Sequence, residues 1–260
     1  MIAMPRAEIN GAPATTADLH RLATVNYGHF TSMQVRGGRV AGLDIHLRRL
    51  EDSSRELFAE PVDGPTVRGW IRAALGDDRD ATVRVTVFGG GRNQHVDAAP
   101  SVLVSVADPI PDGPQPAWRL RTTTYVRDLP HIKHVATMGL IRHWRLAQAD
   151  GFDDALLTDE TGRISEGTAW NLALWDGEHV VWPDAPQLAG ITMQLLKPRV
   201  PSVTRPVQVR DLAEFRGAVI TYSSWAGQPV ASIDDVEFTG TGELATLMVA
   251  AWETVLWDEI

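Results

Sequence analysis

Hydrophobic residues recur along the chain at two spacings, one typical of helices and one typical of strands. Leu47, Leu50 and Leu57 share one face of a helix that we expect Asp44 to cap. The apolar positions of residues 66–75 predict a second helix with one hydrophobic face. These segments therefore predict a pair of amphipathic helices in the first third of the chain.

Alternating apolar residues predict strands around these helices. Val83, Val85 and Val87 alternate in one strand, and residues 102–106 predict a returning strand. Within residues 23–40, the pair Gly37-Gly38 is typical of a tight hairpin turn. Strands and helices follow one another without strict βαβ alternation, which predicts an α+β fold rather than a doubly wound parallel sheet. The remaining predictions are strands at 118–126 and 219–222, hairpin turns at 160–162 and 176–177, helices at about 137–150, 191–197 and 243–256, and little regular structure at 1–18.

Prolines are concentrated in one short stretch near the middle of the chain. Residues 109–116 read PIPDGPQP, and neither a helix nor a central strand tolerates four prolines in eight positions. We interpret this stretch as a linker. The sequence therefore predicts an N-terminal α+β domain at 1–108, the linker at 109–116 and a C-terminal α+β domain at 117–260.

Composition and charge restrict the class of protein. The chain has 260 residues, 44% of them hydrophobic, which is enough for a full core in one large or two modest domains. A net charge of −9 argues against nucleic acid or an anionic membrane as the main partner. The absence of cysteine excludes disulfides and thiolate chemistry. No apolar run has the length of a signal peptide or a membrane span, so we expect a soluble, cytoplasmic protein.

Lysine is rare in this chain. Of 24 basic Lys and Arg residues, only Lys133 and Lys197 are lysines. Because arginine supplies the positive charge everywhere else, a retained lysine suggests a task that needs an amine able to lose its proton, such as a Schiff base. The alternative is a lysine on the surface by chance, and the surroundings of Lys133 decide between the two.

A carboxylate and an anion site accompany Lys133. Glu166 alone would be read as a surface residue, but beside a Schiff-base lysine it matches the carboxylate that keeps the ring nitrogen of pyridoxal phosphate protonated. Residues 188–192 read LAGIT at a predicted helix start, which suits a phosphate or is a plain helix cap. The other candidates for the phosphate are Arg49, Ser223 and Ser224.

Five segments carry a resemblance to a known family. The chain resembles the class IV aminotransferases, the fold-type IV pyridoxal phosphate enzymes that include branched-chain aminotransferases, D-amino acid aminotransferases and aminodeoxychorismate lyases. The resemblance covers nearly the whole chain, from about residue 26 to residue 229. In chain order the segments are HLRRL at 46–50, IK at 132–133, GFDDALL at 151–157, EGTAWN at 166–171 and LAGIT at 188–192.

The resemblance implies a fold, a cofactor and a role for each matching residue. The implied fold has two α+β domains, as in D-amino acid aminotransferase, with pyridoxal 5'-phosphate between them and active-site loops shared in a homodimer. Lys133 would form the Schiff base and shuttle the proton, and Glu166 would face the pyridine nitrogen. The remaining implied cofactor contacts are Arg49, Ile191, Thr192, Ser223 and Ser224 at the phosphate, with Gly190 beside them and Leu188 against the ring.

The positions expected to face the substrate depart from the relatives. Branched-chain aminotransferases have a tyrosine where this chain has Met138. The residues Phe30, Thr31 and Ser32 are closer to the F-T-T of the lyases, and Lys133 with the following histidine also resembles the lyases. These departures separate the chain from the branched-chain enzymes more than from the lyases.

Other departures concern arginine and tryptophan. Phe88 stands where the family has the arginine of an R-G pair, while Arg92 and His95 roughly resemble the R-x-H that holds a substrate carboxylate in D-amino acid aminotransferases. Trp170 and Trp225 replace small residues. They would either contact an aromatic substrate or pack in the core.

The sequence therefore predicts a pyridoxal-phosphate-dependent aminotransferase that moves an amino group between an amino acid, or an amine, and a 2-oxo acid. The alternative with the same cofactor contacts is an aminodeoxychorismate lyase that releases 4-aminobenzoate and pyruvate. A catalytically silent binding protein of this fold would be expected to lose Lys133, Glu166 or Arg49, and all three are present. His131 and His134 lack a nearby carboxylate to complete a metal site, so we predict no metal.

Overall fold

The structure is a computed structural model that describes residues 6–89, 99–113 and 116–260. The chain forms two compact units. The first unit contains Met1–Pro111, Ile132–Ala136 and Leu256–Ile260, and the second contains the rest. Each unit combines helices with a sheet of mainly antiparallel strands, which confirms the predicted α+β class. The boundaries at 108 and 117 stay a prediction, and the units differ from them mainly in the short segments that return to the first unit.

The first unit contains a seven-stranded sheet in the order β16-β4-β3-β5-β6-β1-β2, with strands numbered along the chain. Helices α2 and α3 pack against one face of this sheet. The contact includes Leu50 of α2, Ile71 of α3 and Val85 of the sheet, which all lie at positions that the apolar periodicity predicted. The elements of this unit are β1 (Arg6–Ile9), β2 (Ala12–Pro13), α1 (Thr16–Thr24), β3 (Gly28–Arg36), β4 (Arg39–Ala41), α2 (Leu43–Phe58), α3 (Gly64–Leu75), β5 (Ala81–Phe88), β6 (Ser101–Ala107) and β16 (Trp257–Glu259).

The hairpin predicted at Gly37-Gly38 is present between β3 and β4. Arg36 pairs with Arg39, so the turn has two residues, and both glycines have positive φ, 57° and 78°. Only glycine adopts such angles without strain, and two of them in succession give the turn that matches the twist of antiparallel strands. The prediction is confirmed.

Two predictions for the first unit were wrong in detail. Residues 1–18 were expected to have little regular structure, but β1 pairs with β6 and α1 begins in a capping box between Thr15 and Asp18. Helix α2 begins at Leu43 rather than after a cap at Asp44. The Leu43 amide instead donates to the carboxylate of Asp258 at 2.9 Å, so a residue distant in sequence caps this helix.

The second unit contains a larger sheet. Its strands run in the order β12-β11-β10-β13-β14-β7-β8-β9, and β15 pairs with β14. Its predicted helices and strands are confirmed, with ends that differ by a few residues. The elements are β7 (Trp118–Thr124), α4 (Met138–Ala149), β8 (Asp154–Thr158), β9 (Ile164–Gly167), β10 (Asn171–Trp175), β11 (Val180–Pro183), α5 (Ile191–Leu196), a 3-10 helix (Lys197–Arg199), β12 (Ser202–Arg205), a second 3-10 helix (Val209–Glu214), β13 (Gly217–Tyr222), β14 (Trp225–Ile233), β15 (Val236–Glu237) and α6 (Thr241–Glu253).

Strand β10 lies in the centre of this unit and is buried on both faces. Leu172 and Leu174 pack into one apolar cluster, while Ala173 and Trp175 pack into another with helices α5 and α6. Burial on both sides explains why the strand is a continuous apolar run. It also fixes the position of the turn that precedes it. Among the described residues, no helix has the length and hydropathy that crossing a bilayer requires.

Candidate active site

Lys133 lies on a short extended segment that pairs with the beginning of β3. The Phe30 amide donates to the carbonyl oxygen of Lys133 at 2.8 Å, and the Val135 amide donates to that of Gly28 at 2.9 Å. These bonds attach residues 132–136 to the first unit. The backbone of the lysine is thus held by a sheet, and its side chain is half-buried.

Phe30 brings two cations together. The Nζ of Lys133 lies 5.1 Å from the centre of its ring, and the guanidinium carbon of Arg84 lies 3.5 Å from the same point. Phe30 itself is buried. Arg84 is exposed as a whole residue, but desolvation of its guanidinium lowers its pKa. Sequence reasoning did not single out Arg84. Arg84 lies in the middle of a strand, two residues before a buried threonine, and no sequence motif marks it as part of a site.

His46 lies close to both Arg49 and Lys133. Its Nδ1 is 2.6 Å from the hydroxyl oxygen of Thr31, and both side chains are buried. Burial, together with the positive charges of Arg49 and Lys133, lowers the pKa of His46 to about 3, so the imidazole is neutral at neutral pH. Thr31 therefore has a partner inside the unit, while Ser32 beside it is only half-buried.

Arg49 and Arg48 lie on different sides of α2. Arg49 is half-buried, and burial lowers its pKa to about 10, so it keeps its charge at neutral pH. Arg48 is exposed. The difference follows from the helix geometry, in which adjacent residues do not share a face.

In the second unit, Glu166 is a buried carboxylate on β9. It is 6% exposed, its Oε1 lies 3.2 Å from the Nε of Arg127, and its Oε2 accepts from the Leu188 amide at 3.2 Å. Arg127 also donates to the carbonyl oxygen of Pro130 at 2.8 Å. A guanidinium held in this way stabilises the charged form of the glutamate. Sequence reasoning missed Arg127, although it lies only six residues before Lys133.

Asn171 fixes the segment that begins at Leu188. Its amide nitrogen donates to the carbonyl oxygen of Leu188 at 2.8 Å and to the side-chain oxygen of Gln187 at 3.0 Å. A Cβ at Gly190 would overlap the amide oxygen of Asn171. The glycine is therefore required by close packing, and the two motifs that contain Asn171 and Gly190 form one assembly.

Apart from Arg49, which belongs to the first unit, the residues predicted at the phosphate lie near the start of α5. Gly190 is the N-cap, Ile191 and Thr192 are buried in the first turn, and the Thr192 hydroxyl donates to the carbonyl oxygen of Tyr222 at 3.1 Å. Tyr222 immediately precedes the two-residue turn that joins β13 to β14. Ser223, in this turn, is exposed and Ser224 half-buried. The hydrogen bond between Thr192 and Tyr222, 30 residues apart in the chain, thus connects the start of α5 to the turn that contains the two serines.

The two tryptophans singled out in the sequence differ in environment. Trp170 is 4% exposed, and its indole N–H donates to Asp154 at 2.7 Å, which favours the packing interpretation over contact with a substrate. Trp225 is half-buried, and its indole nitrogen has no hydrogen-bond partner within the described ranges. Arg92 and His95 lie outside the described residues.

A sequence profile of one family matches most of the chain. The family described as "Amino-transferase class IV" matches residues 28–233. The chain belongs to this family. The matched region contains every proposed cofactor residue, and the recognition made from the five motifs is confirmed. No curated protein matches the sequence.

Solved structures of the family have the same fold. A 4-amino-4-deoxychorismate lyase from Pseudomonas aeruginosa is 27% identical, with a TM-score of 0.77 over 94% of this chain and 97% of its own. A branched-chain amino acid aminotransferase from the organism abbreviated T.th. is 18% identical, with a TM-score of 0.85 over 97% and 94%. A hypothetical aminotransferase from Mycobacterium tuberculosis, in a PLP-bound form, is 21% identical, with a TM-score of 0.76 over 95% and 98%. The fold is therefore fold type IV.

Proposed function

We propose that this chain is a pyridoxal-phosphate-dependent aminotransferase that transfers an amino group between an amino acid, or an amine, and a 2-oxo acid. Membership of the class IV family supports the reaction class. The observation that carries the proposal is the buried carboxylate of Glu166, which Arg127 and the Leu188 amide hold in its charged form. Because an isolated buried ion pair contributes little to stability, we attribute this arrangement to a bound cofactor and not to folding.

The donor set fits pyridoxal 5'-phosphate. Lys133 provides an amine, Glu166 a carboxylate, and Arg49 a guanidinium that keeps its charge at neutral pH. Gly190, which packs against the side chain of Asn171, precedes the amides of Ile191 and Thr192, the proposed phosphate ligands. We assign Ser223 and Ser224 to the same phosphate and Leu188 to the face of the ring.

Each residue has a defined task in this proposal. When bound, the cofactor draws electrons from the substrate carbon and makes its hydrogen acidic. The Nζ of Lys133 would hold the cofactor; once the amine of the substrate has displaced it, the free Nζ would accept the proton from the substrate carbon and later donate it again. The carboxylate of Glu166 keeps a proton on the ring nitrogen. Arg127 in turn keeps Glu166 charged, and Arg49 anchors the phosphate.

One observation favours a second candidate, the aminodeoxychorismate lyase reaction. The P. aeruginosa lyase has a higher identity to this chain than the branched-chain aminotransferase cited above. In this candidate a hydroxyl near Lys133 would assist proton transfer to the departing fragment. Ser32 is better suited than Thr31, because Thr31 is fully buried and occupied by His46.

The lysines provide the experiment with its own control, since the chain has only two. We expect the purified protein to absorb as a lysine-bound cofactor, and borohydride followed by peptide mass spectrometry to label Lys133. K133R should abolish both signals, while K197R should keep them. Retained turnover in K133R, or no label at Lys133 in the natural protein, would disprove the assignment and favour a silent binding protein.

The same preparation separates the two reactions. Mixed with an amino donor and no acceptor, an aminotransferase converts the cofactor to its amine form with a visible spectral change. A lyase instead releases 4-aminobenzoate and pyruvate from aminodeoxychorismate without that change. A screen of amino donors against 2-oxo acids then identifies the substrates.

We also propose that the protein is a homodimer and that α4 contributes to the interface. Met138, Ile141 and Trp144 on this helix are 79%, 51% and 38% exposed, and Val126 and Leu129 are exposed in the same unit. Exposed apolar residues grouped on one element mark protein contacts more often than free surface. The family resemblance supports a second copy of this chain as the partner. Location in the cytoplasm stays a prediction from the sequence.

A further inference from the structure

The second unit contains a buried carboxylate that the proposed reaction does not use. Asp154 on β8 is 4% exposed, and no basic side chain in the described part of the chain pairs with it. Its oxygens accept from neutral donors only. These are the indole N–H of Trp170 at 2.7 Å, the hydroxyl of Thr168 at 2.8 Å and the amide of Ala155 at 2.7 Å. Two of the three donors belong to the turn between β9 and β10.

Trp170 closes this turn on itself. Its indole ring lies across Gly167, where a Cβ would overlap the ring, and the Gly167 amide donates to the carbonyl oxygen of Trp170 at 2.9 Å. Trp170 is only 4% exposed, so its ring is held by packing as well as by its hydrogen bond to Asp154. With Thr168 and Trp170 both attached to Asp154, the turn has one arrangement available.

The residues on either side of this turn are those that hold the Leu188 segment. Glu166 precedes the turn and accepts from the Leu188 amide at 3.2 Å. Asn171 follows it and donates to the carbonyl oxygen of Leu188 at 2.8 Å. Any shift of the turn would therefore displace the carboxylate of Glu166 and its neighbours together.

We propose that Asp154 is a positioning residue, which fixes the carboxylate of Glu166 through its bonds to Thr168 and Trp170. This inference rests on the proposed function, in which Glu166 keeps a proton on the ring nitrogen. An aspartate suits the task because an ionised carboxylate only accepts, and can satisfy several donors at once. Asparagine at this position would turn an N–H₂ group towards at least one of these donors.

The variant D154N is expected to fold. Burial raises the pKa of Asp154, so the loss of its charge removes a desolvation cost while the side-chain volume is unchanged. W170F is a second, independent variant, because it keeps an aromatic side chain and removes the indole N–H together with part of the ring that covers Gly167. Asp234 offers a matched control. It is half-buried in the same unit and its carboxylate holds the amide and hydroxyl of Thr122, at 2.8 and 2.6 Å.

The first test uses the full chain without cofactor. Unfolding by urea is measured for D154N, E166Q and the double variant. If Asp154 positions Glu166, the effects on the unfolding equilibrium constant depart from additivity by about threefold or more. The control cycle with D234N and E166Q is expected to be additive within about twofold. Additivity in the Asp154 cycle would overturn the proposal.

The second test uses protein loaded with pyridoxal phosphate labelled with ¹⁵N in the ring. We expect D154N and W170F to shift the ring ¹⁵N resonance towards the unprotonated form and to weaken cofactor binding about tenfold. D234N should leave both unchanged. A natural resonance and affinity in both D154N and W170F would contradict the positioning role. If instead the natural protein binds no cofactor at Lys133, the proposed function fails, and the cofactor-free cycle still decides whether Asp154 positions Glu166.

Discussion

The Nε of Arg127 lies 3.2 Å from Oε1 of Glu166, and the two side chains are only 5% and 8% exposed. A buried pair of this kind adds little net stability, but the removal of one partner leaves an uncompensated charge. The pair therefore couples the folding of the second unit to the charge state of Glu166.

R127L should lower the free energy of unfolding by about 3–5 kcal/mol, because it removes the guanidinium that pairs with the buried carboxylate of Glu166. Chemical denaturation of the cofactor-free protein measures the change. R121L is the matched control, since Arg121 pairs with Asp150 at the surface, where an ion pair is worth at most about 1 kcal/mol. Equal losses in the two variants would contradict the structural role of the buried pair.

G190A should destabilise the protein by about 1–3 kcal/mol and weaken cofactor binding, because the new methyl group would displace the side chain of Asn171. In the double variant G190A/N171A the methyl group has space, so the second substitution should restore part of what the first removes. G69A is the control. Gly69 lies inside α3 with no atom within 4 Å of its Cβ position, and alanine there should stabilise by about 0.5–1 kcal/mol. If G190A behaves like G69A, Asn171 does not occupy this space.

The stability of the cofactor-free protein should fall as the pH drops below about 6.5. Burial lowers the pKa of His29 to about 4, and burial with two nearby cations lowers that of His46 to about 3. Between these values and 6.5, the unfolded chain binds protons that the folded chain does not, so acid favours unfolding. The loss for His29 alone is at most about 3 kcal/mol.

Urea unfolding at pH 7 and at pH 4.5 measures this dependence. Carboxylates whose pKa is lowered, such as that of Asp63, act only below about pH 4 and do not enter the comparison. H29Q should flatten the pH dependence, because glutamine can keep a hydrogen bond to Ser54 and does not titrate. An unchanged slope in H29Q would show that other groups dominate.

I141E should shift the protein from dimer to monomer, because it places a charge in the proposed interface on α4. Size-exclusion chromatography with light scattering measures the mass in solution. L256E is the control, since Leu256 is 85% exposed but lies outside α4. A dimer that persists in I141E, or a monomer in the natural protein, would contradict the proposed interface.

Local sequence signals were sufficient for most of the fold. The Gly37-Gly38 turn and the periodic faces of α2 and α3 depend on residues close in the chain, so their patterns could be read directly. The capping box of Thr15 and Asp18 was also readable, but the short and polar segment around it hid the signal. The cap of α2 was not readable, because its carboxylate comes from Asp258, 215 residues away.

The candidate site shows the same limit. Lys133, Glu166 and Arg49 were found because rarity and motif spacing point to them. Arg127 was not, because its partner is 39 residues distant and only the pairing of β8 with β9 brings that partner into the interior. The sequence could not decide whether Trp170 packs in the core or faces a substrate, because its partner Asp154 lies on another strand.

The attachment of Ile132–Ala136 to β3 also determines how this protein can be divided. The chain passes from one unit to the other at residues 111, 131, 136 and 255, so neither unit is a continuous piece of sequence. A fragment cut at the proline-rich stretch would leave β3 without the lysine segment and β4 without β16. To replace one unit by that of a relative, four junctions in the sequence would have to be made at once. After a cut at the proline-rich stretch, Lys133, the proposed Schiff-base residue, would lie on a different fragment from β3, with which its segment pairs.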